Sequence, residues 1–151
     1  MSTRCRIGIM KNGIVESIYC HNDGYPSGVG QILFDHYKDR TTVERLMDLG
    51  DLSSLGTKPI ANPDAWSSSA PPELMYRDDM CSTYRTRGET NIDKESTDYK
   101  QFVKTLSDGI EYLYLYFDDS WLCIYTVDTA DSDDEPVCEQ LEDALKRDAV
   151  I

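Results

Sequence analysis

The chain has 151 residues, 40% hydrophobic and 10% aromatic, which is the size and composition of one folded domain rather than of a disordered segment. Its 28 acidic residues against 15 lysines and arginines give a formal net charge of −13. No run of 18 apolar residues is present and residues 1–6 are polar, so we expect a cytoplasmic protein without a membrane span or signal peptide.

The acidity is concentrated after residue 107, where 13 acids face only 2 bases. Affinity for nucleic acid comes from lysine and arginine side chains that release counterions from phosphate, so direct binding of nucleic acid is disfavoured. An acidic surface favours a partner protein with a basic surface, and the alternative is that the charges serve only solubility.

Five cysteines, an odd number without a C-x-x-C pair, are typical of reduced thiols rather than of a disulfide framework. Because the chain has only two histidines, a Cys/His zinc site would need widely scattered ligands. We therefore predict no metal site and no cofactor.

The first predicted element is a β-hairpin. Residues 4–10 and 14–21 are rich in β-favouring side chains and flank an Asn-Gly dipeptide, which is typical of two-residue hairpin turns. A glycine-rich loop then leads into a helix over 28–38, for which Ser27 is the predicted N-cap.

A second helix is predicted from Thr41, which forms a capping-box pair with Glu44, to Gly50, which can close its C-terminus. Residues 56–73 contain four prolines and a serine run, which indicates a surface excursion. Trp66 within it either packs the excursion against the body of the protein or is offered to a partner.

Further strands are predicted near 74–77 and over 81–87. Ser96 or Thr97 is then expected to cap a third helix, which ends near Gly109.

A second hairpin is predicted from two strongly β-favouring runs, 111–117 and 121–127. Side chains alternate between the two faces of a strand, so leucine and phenylalanine share one face of the first run and tyrosines the other. We expect the core to contain Leu113, Leu115 and Phe117. The opposite face carries Tyr112, Tyr114 and Tyr116. We expect this face to be half exposed, and the sequence leaves open whether it forms an interface.

The chain closes with an acidic connector over 128–135 and a helix that Pro136 starts, with Val137, Leu141 and Leu145 on one stripe. The predicted fold is α+β, an antiparallel sheet built from two β-hairpins with helices packed on one face, plus an acidic C-terminal helix. Residues 1–127 form a single α+β domain, and residues 128–151 pack on it or extend from it.

The best candidate for a site is the loop after the first hairpin, which carries His21, Asp23 and Tyr25. The alternative is a structural turn held by hydrogen bonds of His21 and Asp23. Two arginines, Arg85 and Arg87, are expected on one face of a strand, where they either bind a ligand or form ion pairs within the protein. No convincing nucleophile and base are found, so no catalytic residue is predicted.

The opening Ile7-Gly8-Ile9, the run Tyr19-Cys20-His21, the motif Asp23-Gly24-Tyr25-Pro26 and the later Leu49-Gly50-Asp51-Leu52 resemble a family of small, largely uncharacterised proteins of tailed bacteriophages and prophages. The likeness covers residues 2–55 closely and the rest more loosely, and Asn22 stands where a tryptophan is common in that family. The resemblance implies a phage protein that acts in the host cytoplasm, and it carries no established activity.

Small acidic phage proteins often inhibit host machinery, so the leading hypothesis is a non-enzymatic accessory protein that binds and blocks a host defence or nucleic-acid-handling protein. It would be anti-CRISPR-like or another anti-defence protein, acting by acidic mimicry of nucleic acid. The residues expected to stand in for phosphates are Asp128, Asp131, Asp133, Asp134, Glu135, Glu139, Glu142 and Asp143.

The first alternative is a sponge for a nucleotide-like signalling molecule, held by His21, Asp23, Tyr25, Arg85 and Arg87, in which arginines bind phosphate and a tyrosine stacks on the base. A small hydrolase is the third hypothesis. The partner's identity and the oligomeric state are left open, and a homo-oligomer is allowed.

Overall fold

The computed structural model describes residues 2–127 and 136–149, with side chains described up to Arg147. Its strands are β1 (Cys5–Lys11), β2 (Ile14–Cys20), β3 (Leu52–Ser54), β4 (Ser82–Thr83), β5 (Glu95–Asp98), β6 (Tyr112–Phe117), β7 (Ser120–Tyr125) and β8 (Val137–Gln140). Its α-helices are α1 (Gln31–His36), α2 (Arg40–Asp48), α3 (Pro72–Met75), α4 (Tyr99–Lys104) and α5 (Leu141–Ala149). The α+β class is confirmed. No helix in these two stretches is long and apolar enough to cross a membrane.

The strands form one mixed sheet in the order β4-β3-β2-β1-β6-β7-β8, with β5 also paired to β2. Both hairpins, β1–β2 and β6–β7, are present. They join through parallel pairing of β1 with β6, and β2 pairs in parallel with β3. The prediction of an antiparallel sheet built from two hairpins was therefore wrong, because pairing between strands about a hundred residues apart has no local signal.

Helices cover both faces of the sheet, which corrects the prediction of one covered face. The first face carries the larger core, in which Ile7 and Ile9 pack with residues of α1, α2 and α5 such as Leu33, Leu46 and Leu141. The second face carries a smaller core, formed by Val15, Phe102, Ile110, Leu113, Leu115 and Ile124, in which Phe102 is the contribution of α4. Strands buried on both faces lose the polar and apolar alternation that reveals which face is the core.

Two of the three tyrosines of β6, Tyr114 and Tyr116, lie in the larger core rather than on a half-exposed face, and Tyr112 is partly buried against that core. Tyr114 and Tyr116 are 0% and 2% exposed, whereas Phe117, expected inside, is 48% exposed. The Tyr114 hydroxyl donates to the Gly24 carbonyl at 2.7 Å, and the Tyr116 hydroxyl donates to the Lys38 carbonyl at 3.2 Å. A tyrosine buried with its hydroxyl bonded stabilises a core in the same way as phenylalanine, so both faces of β6 are buried. Leu113 and Leu115 lie in the smaller core, which confirms that part of the prediction.

Aspartates cap α2 and α4, in place of the serine and threonines that the sequence indicated for these two helices. Asp39 accepts from Thr42 N at 2.8 Å at the start of α2, and Asp98 accepts from Gln101 N at 2.7 Å at the start of α4. Ser96 and Thr97 lie in β5 instead, and Ser27 lies within a π-type turn over Pro26–Gly30 that precedes α1.

Trp66 packs the proline-rich excursion against the body of the protein, as the first of the two alternatives predicted. Its indole Nε1 donates to the Thr83 carbonyl at 2.7 Å, and its ring stacks on Tyr84 at 5.8 Å between centroids. The strand expected near 74–77 is the short helix α3, and the strand expected over 81–87 is reduced to Ser82–Thr83.

The C-terminal region begins with a strand rather than a helix. Residues of β8 pair antiparallel with β7, and α5 begins only at Leu141, which is fully buried in the larger core. The described part of α5 carries Glu142 and Asp143 in its first turn and Lys146 and Arg147 in its last, so the expected acidic helix is not confirmed. The acidic connector over 128–135 lies outside the described residues.

Asp51 provides a test of pH dependence. Burial raises the pKa of its carboxyl group, although its Oδ1 accepts a hydrogen bond from Tyr19 N at 2.9 Å. The folded protein therefore holds this proton more tightly than the unfolded chain, and the stability it contributes is lost as pH rises above about 4, the ordinary pKa of aspartate. The substitution Asp51→Asn would keep an oxygen that accepts this hydrogen bond and would remove the buried charge.

We expect Asp51→Asn to gain stability relative to the parent as pH rises from about 4 to 7, and to show little difference near pH 3. Urea denaturation across this range measures the change. Asp78→Asn is the control, because Asp78 is exposed. A difference between Asp51→Asn and the parent that stays constant with pH would contradict the prediction.

Candidate functional site

The loop after β2 is held by hydrogen bonds within itself and by bonds to the neighbouring segments at Thr3, Leu52 and Ser53. His21 Nδ1 lies 2.7 Å from the Tyr19 hydroxyl, and His21 N donates to the Leu52 carbonyl at 3.0 Å. Asp23 has a positive φ of 58°, and its carbonyl accepts from Val29 N at 2.8 Å. Aspartate is one of the residues that tolerate this left-handed conformation, so His21 and Asp23 both contribute to the shape of the loop.

Asp23 and Tyr25 are both exposed, and 40% of the surface of Tyr25 is accessible. Its hydroxyl donates to Asp23 Oδ1 at 3.3 Å, and the negative charge of Asp23 raises the pKa of Tyr25. His21 is bonded to Tyr19 instead, so the three side chains do not converge on one point. A ligand-binding role for them stays a prediction.

Arg85 and Arg87 follow β4 rather than lie in it, and their guanidinium groups are engaged within the protein. Arg85 donates to the Asp48 carbonyl at 2.8 Å and pairs with Asp93. Arg87 pairs with Glu89 at 2.8 Å and lies over the ring of Trp66, 4.5 Å from its centroid. The structure thus places the two arginines in separate ion pairs, not side by side on one strand face.

The predicted acidic surface is only partly within the described residues. Asp128, Asp131, Asp133, Asp134 and Glu135 lie outside them. Glu139 accepts from the Tyr125 hydroxyl at 3.1 Å and pairs with Arg147, so it serves internal packing. Glu142 pairs with Lys146 at 3.4 Å while both side chains are more than half exposed, and Asp143 is exposed.

A groove of about 280 Å³ lies where α1, the β6–β7 turn and the start of α5 meet; we call it the acidic groove. It is lined by Phe34, Lys38, Tyr116, Asp119, Ser120, Trp121, Gln140 and Glu142. Tyr116 and Trp121 meet edge to face at 5.3 Å between centroids, and Trp121 Nε1 donates to the Tyr37 carbonyl at 2.8 Å. The aromatic base of the groove is therefore rigidly placed.

Acidic side chains act on the base of the groove, whose lining also includes Lys38. Burial raises the pKa of Tyr116, and the charges of Asp119 and Asp39 raise it further, while Arg40 acts in the opposite direction. Asp119 is held at a positive φ of 60° in the tight turn between β6 and β7. The sequence indicated a turn here, but it gave no signal that α1 and α5 would join the turn to form a groove.

Neither of the two cysteines with a shifted pKa, Cys5 and Cys81, is a reactive nucleophile. Burial raises the pKa of Cys81 to about 11 and also raises the pKa of Cys5 well above its usual range. A thiol is nucleophilic as the thiolate, so both groups are protonated and inert at neutral pH. Within residues 2–127 and 136–149, no three metal-ligating side chains cluster, and the cysteines are free of disulfides.

Comparison of the chain with protein-family models, with curated proteins and with solved structures finds no match in any of the three. Function is therefore inferred from the groove and from the distribution of charge.

Proposed function

We propose that this protein is a non-enzymatic binding protein that engages a basic surface of a partner protein and places an arginine or lysine side chain of that partner in the acidic groove. The main observation is that the fixed rings of Tyr116 and Trp121 line the same groove as the carboxylates of Asp119 and Glu142. Cations are attracted both to aromatic ring faces and to carboxylates.

Most of the lysine and arginine side chains are already engaged in ion pairs, which supports a protein partner rather than nucleic acid. Nine of the chain's 15 lysines and arginines form ion pairs with acids among the described residues: Arg6, Lys11, Arg40, Arg77, Arg85, Arg87, Lys94, Lys146 and Arg147. Their charges are locally compensated, so the excess of 13 negative charges dominates the field around the protein. Phosphate would be repelled by this field, and a basic protein surface would be attracted.

The negative electrostatic field around the protein also indicates what kind of partner protein it attracts. A protein that handles nucleic acid presents lysines and arginines arranged for phosphate, and a surface rich in carboxylates competes for them. Together with the phage resemblance, this supports inhibition of a host defence or nucleic-acid-handling protein by acidic mimicry. Restored phage plating on a defence-bearing host that expresses the chain is the cellular readout.

The groove is tested by titrating the full chain with a fluorescent octa-arginine peptide. We expect the Asp119→Asn/Glu142→Gln variant to bind at least about tenfold more weakly than the parent, because about 1.4 kcal/mol is lost when two charge-assisted contacts are removed. The affinity of the parent should fall steeply with salt, since exposed charges are screened over about 8 Å at physiological ionic strength.

The matched control is Glu73→Gln/Asp78→Asn, which removes the same charge from exposed positions outside the groove. We expect this control to change the affinity for the peptide by less than about twofold, in line with the small effect of rim charges. Equal weakening in the two double variants would show that only overall charge matters, and it would refute the groove.

A further inference from the structure

A second cleft lies where β2 and β3 end and the proline-rich excursion folds over them. Its volume is about 300 Å³, at the lower limit of pockets that hold small molecules. Its lining combines two aromatic rings, Trp66 and Tyr76, with the polar side chains of Asn22, Asp23, Ser53 and Ser54. We call it the serine cleft.

Trp66 is held in place by three contacts outside the cleft. They are the bond from its indole to the Thr83 carbonyl at 2.7 Å, the stacked ring of Tyr84, and the guanidinium of Arg87 at 4.5 Å. A ring fixed in this way loses little side-chain entropy when a ligand stacks on it.

Among the large hydrophobic side chains of the described residues, that of Tyr76 is the most exposed, at 77%. Its backbone is nevertheless fixed, because Asn62, which is 1% exposed, donates from Nδ2 to the carbonyls of Leu74 at 2.9 Å and Met75 at 3.2 Å. A buried amide thus anchors the end of α3, from which the exposed ring of Tyr76 extends into the lining of the cleft.

The polar wall is also fixed. Asn22 Nδ2 donates to the Ser53 carbonyl at 2.9 Å and to Ser53 Oγ at 3.1 Å, and Asn22 Oδ1 accepts from Ser2 Oγ at 2.9 Å. Asp23 is the one charged residue in the lining. The bonded amide of Asn22 thus fixes the wall, and the cleft presents hydroxyl and carboxylate groups in the same lining as the two aromatic rings.

We infer that the serine cleft binds an uncharged sugar of monosaccharide size. A sugar ring has hydroxyl groups that match the carboxylate and serine side chains, and an apolar face that packs on an aromatic ring. A phosphate group fits poorly, because the lining contains no lysine or arginine and Arg87 is paired with Glu89 at 2.8 Å. The serine cleft shares no lining residue with the acidic groove, so this inference is independent of the proposed function.

The test uses the full chain, labelled with ¹⁵N and titrated with glucose, galactose, mannose and N-acetylglucosamine. The two indole N–H signals, Trp66 and Trp121, are distinguished by a Trp66→Phe variant. We expect at least one sugar to shift the Trp66 signal with a Kd of about 1 mM, while Trp121, which lies in the core, serves as the internal reference.

Two variants separate binding from folding. Asp23→Asn keeps a residue that accepts the positive φ of 58°, so its melting temperature should match the parent while sugar affinity falls about tenfold. Tyr76→Ala should also abolish the shift, whereas Phe117→Ala, which removes another exposed ring elsewhere on the surface, should not.

Three outcomes would overturn the inference. They are the absence of a Trp66 shift with every sugar, equal losses in Tyr76→Ala and Phe117→Ala, and tighter binding of adenosine 5′-monophosphate than of any sugar. The last of these would favour a nucleotide site in its place.

Discussion

Tyr114→Ala is expected to lower the free energy of unfolding by about 3–5 kcal/mol, the range observed when a buried aromatic side chain is deleted. Tyr114 is fully buried, stands next to Ile7 across the β1–β6 pairing, and packs against Gly30. For a chain of this length the melting temperature should fall by roughly 6–20 °C. Urea denaturation and thermal melting of the purified variant measure both quantities.

Two companion variants identify the cause. Tyr114→Phe keeps the ring but leaves the buried Gly24 carbonyl without the hydroxyl that donates to it at 2.7 Å, which should cost about 1–3 kcal/mol. Phe117→Ala, on the same strand but 48% exposed, should cost less than about 1 kcal/mol. If Phe117→Ala were the more destabilising of the two alanine variants, Phe117 would be a core residue and the burial of Tyr114 described here would be wrong.

Gly50→Ala is expected to cost about 3 kcal/mol or more. Gly50 has a φ of 75°, where a residue with a side chain is strained by about 1–2 kcal/mol. A Cβ atom there would also lie 2.4 Å from the carbonyl oxygen of Ile92, which is backbone and cannot rotate away. The backbone must shift, and this weakens the hydrogen bond from Asp51 N to the same oxygen, now 2.7 Å.

Gly88→Ala is the matched control for this second prediction. Gly88 has a φ of 96°, but a Cβ atom at this position would meet nothing within 4 Å. It should therefore show only the backbone strain, about 1–2 kcal/mol. The midpoints of urea denaturation of the two variants measure this difference. Equal midpoints would mean that the contact between the new Cβ atom and Ile92 adds nothing to the loss of stability.

Features decided by neighbours in the chain were predicted well. The Asn12-Gly13 turn has φ values of 51° and 80°, which only a few residue types accept, so the dipeptide identified the first hairpin. Gly50 closes α2 for the same reason. Val29, Ile32, Leu33 and Tyr37 recur at helical spacing in the sequence; three of them are at most 1% exposed, and Ile32 is partly buried.

The candidate sites were predicted less well, because their residues are distant in sequence. The acidic groove joins Phe34 on α1, Asp119 in a turn and Glu142 on α5. The serine cleft joins Asn22, Ser53 and Tyr76, and only Asp23 of its lining was a candidate beforehand. Hydroxyl and aromatic residues in loops have no spacing rule that would have brought these positions together.

The amino-acid sequence by itself determined the α+β class, the two hairpins, the turn at Gly50 and the excess of negative charge, because each depends on local conformational preference or on composition. Only the tertiary structure decided that β1 lies parallel beside β6 and that Tyr114 faces the larger core. Alternation along a strand defines two faces but not which of them is buried in the larger core. That choice depends on which helices pack on each face, and here α4 covers Leu113 while α1, α2 and α5 cover Tyr114.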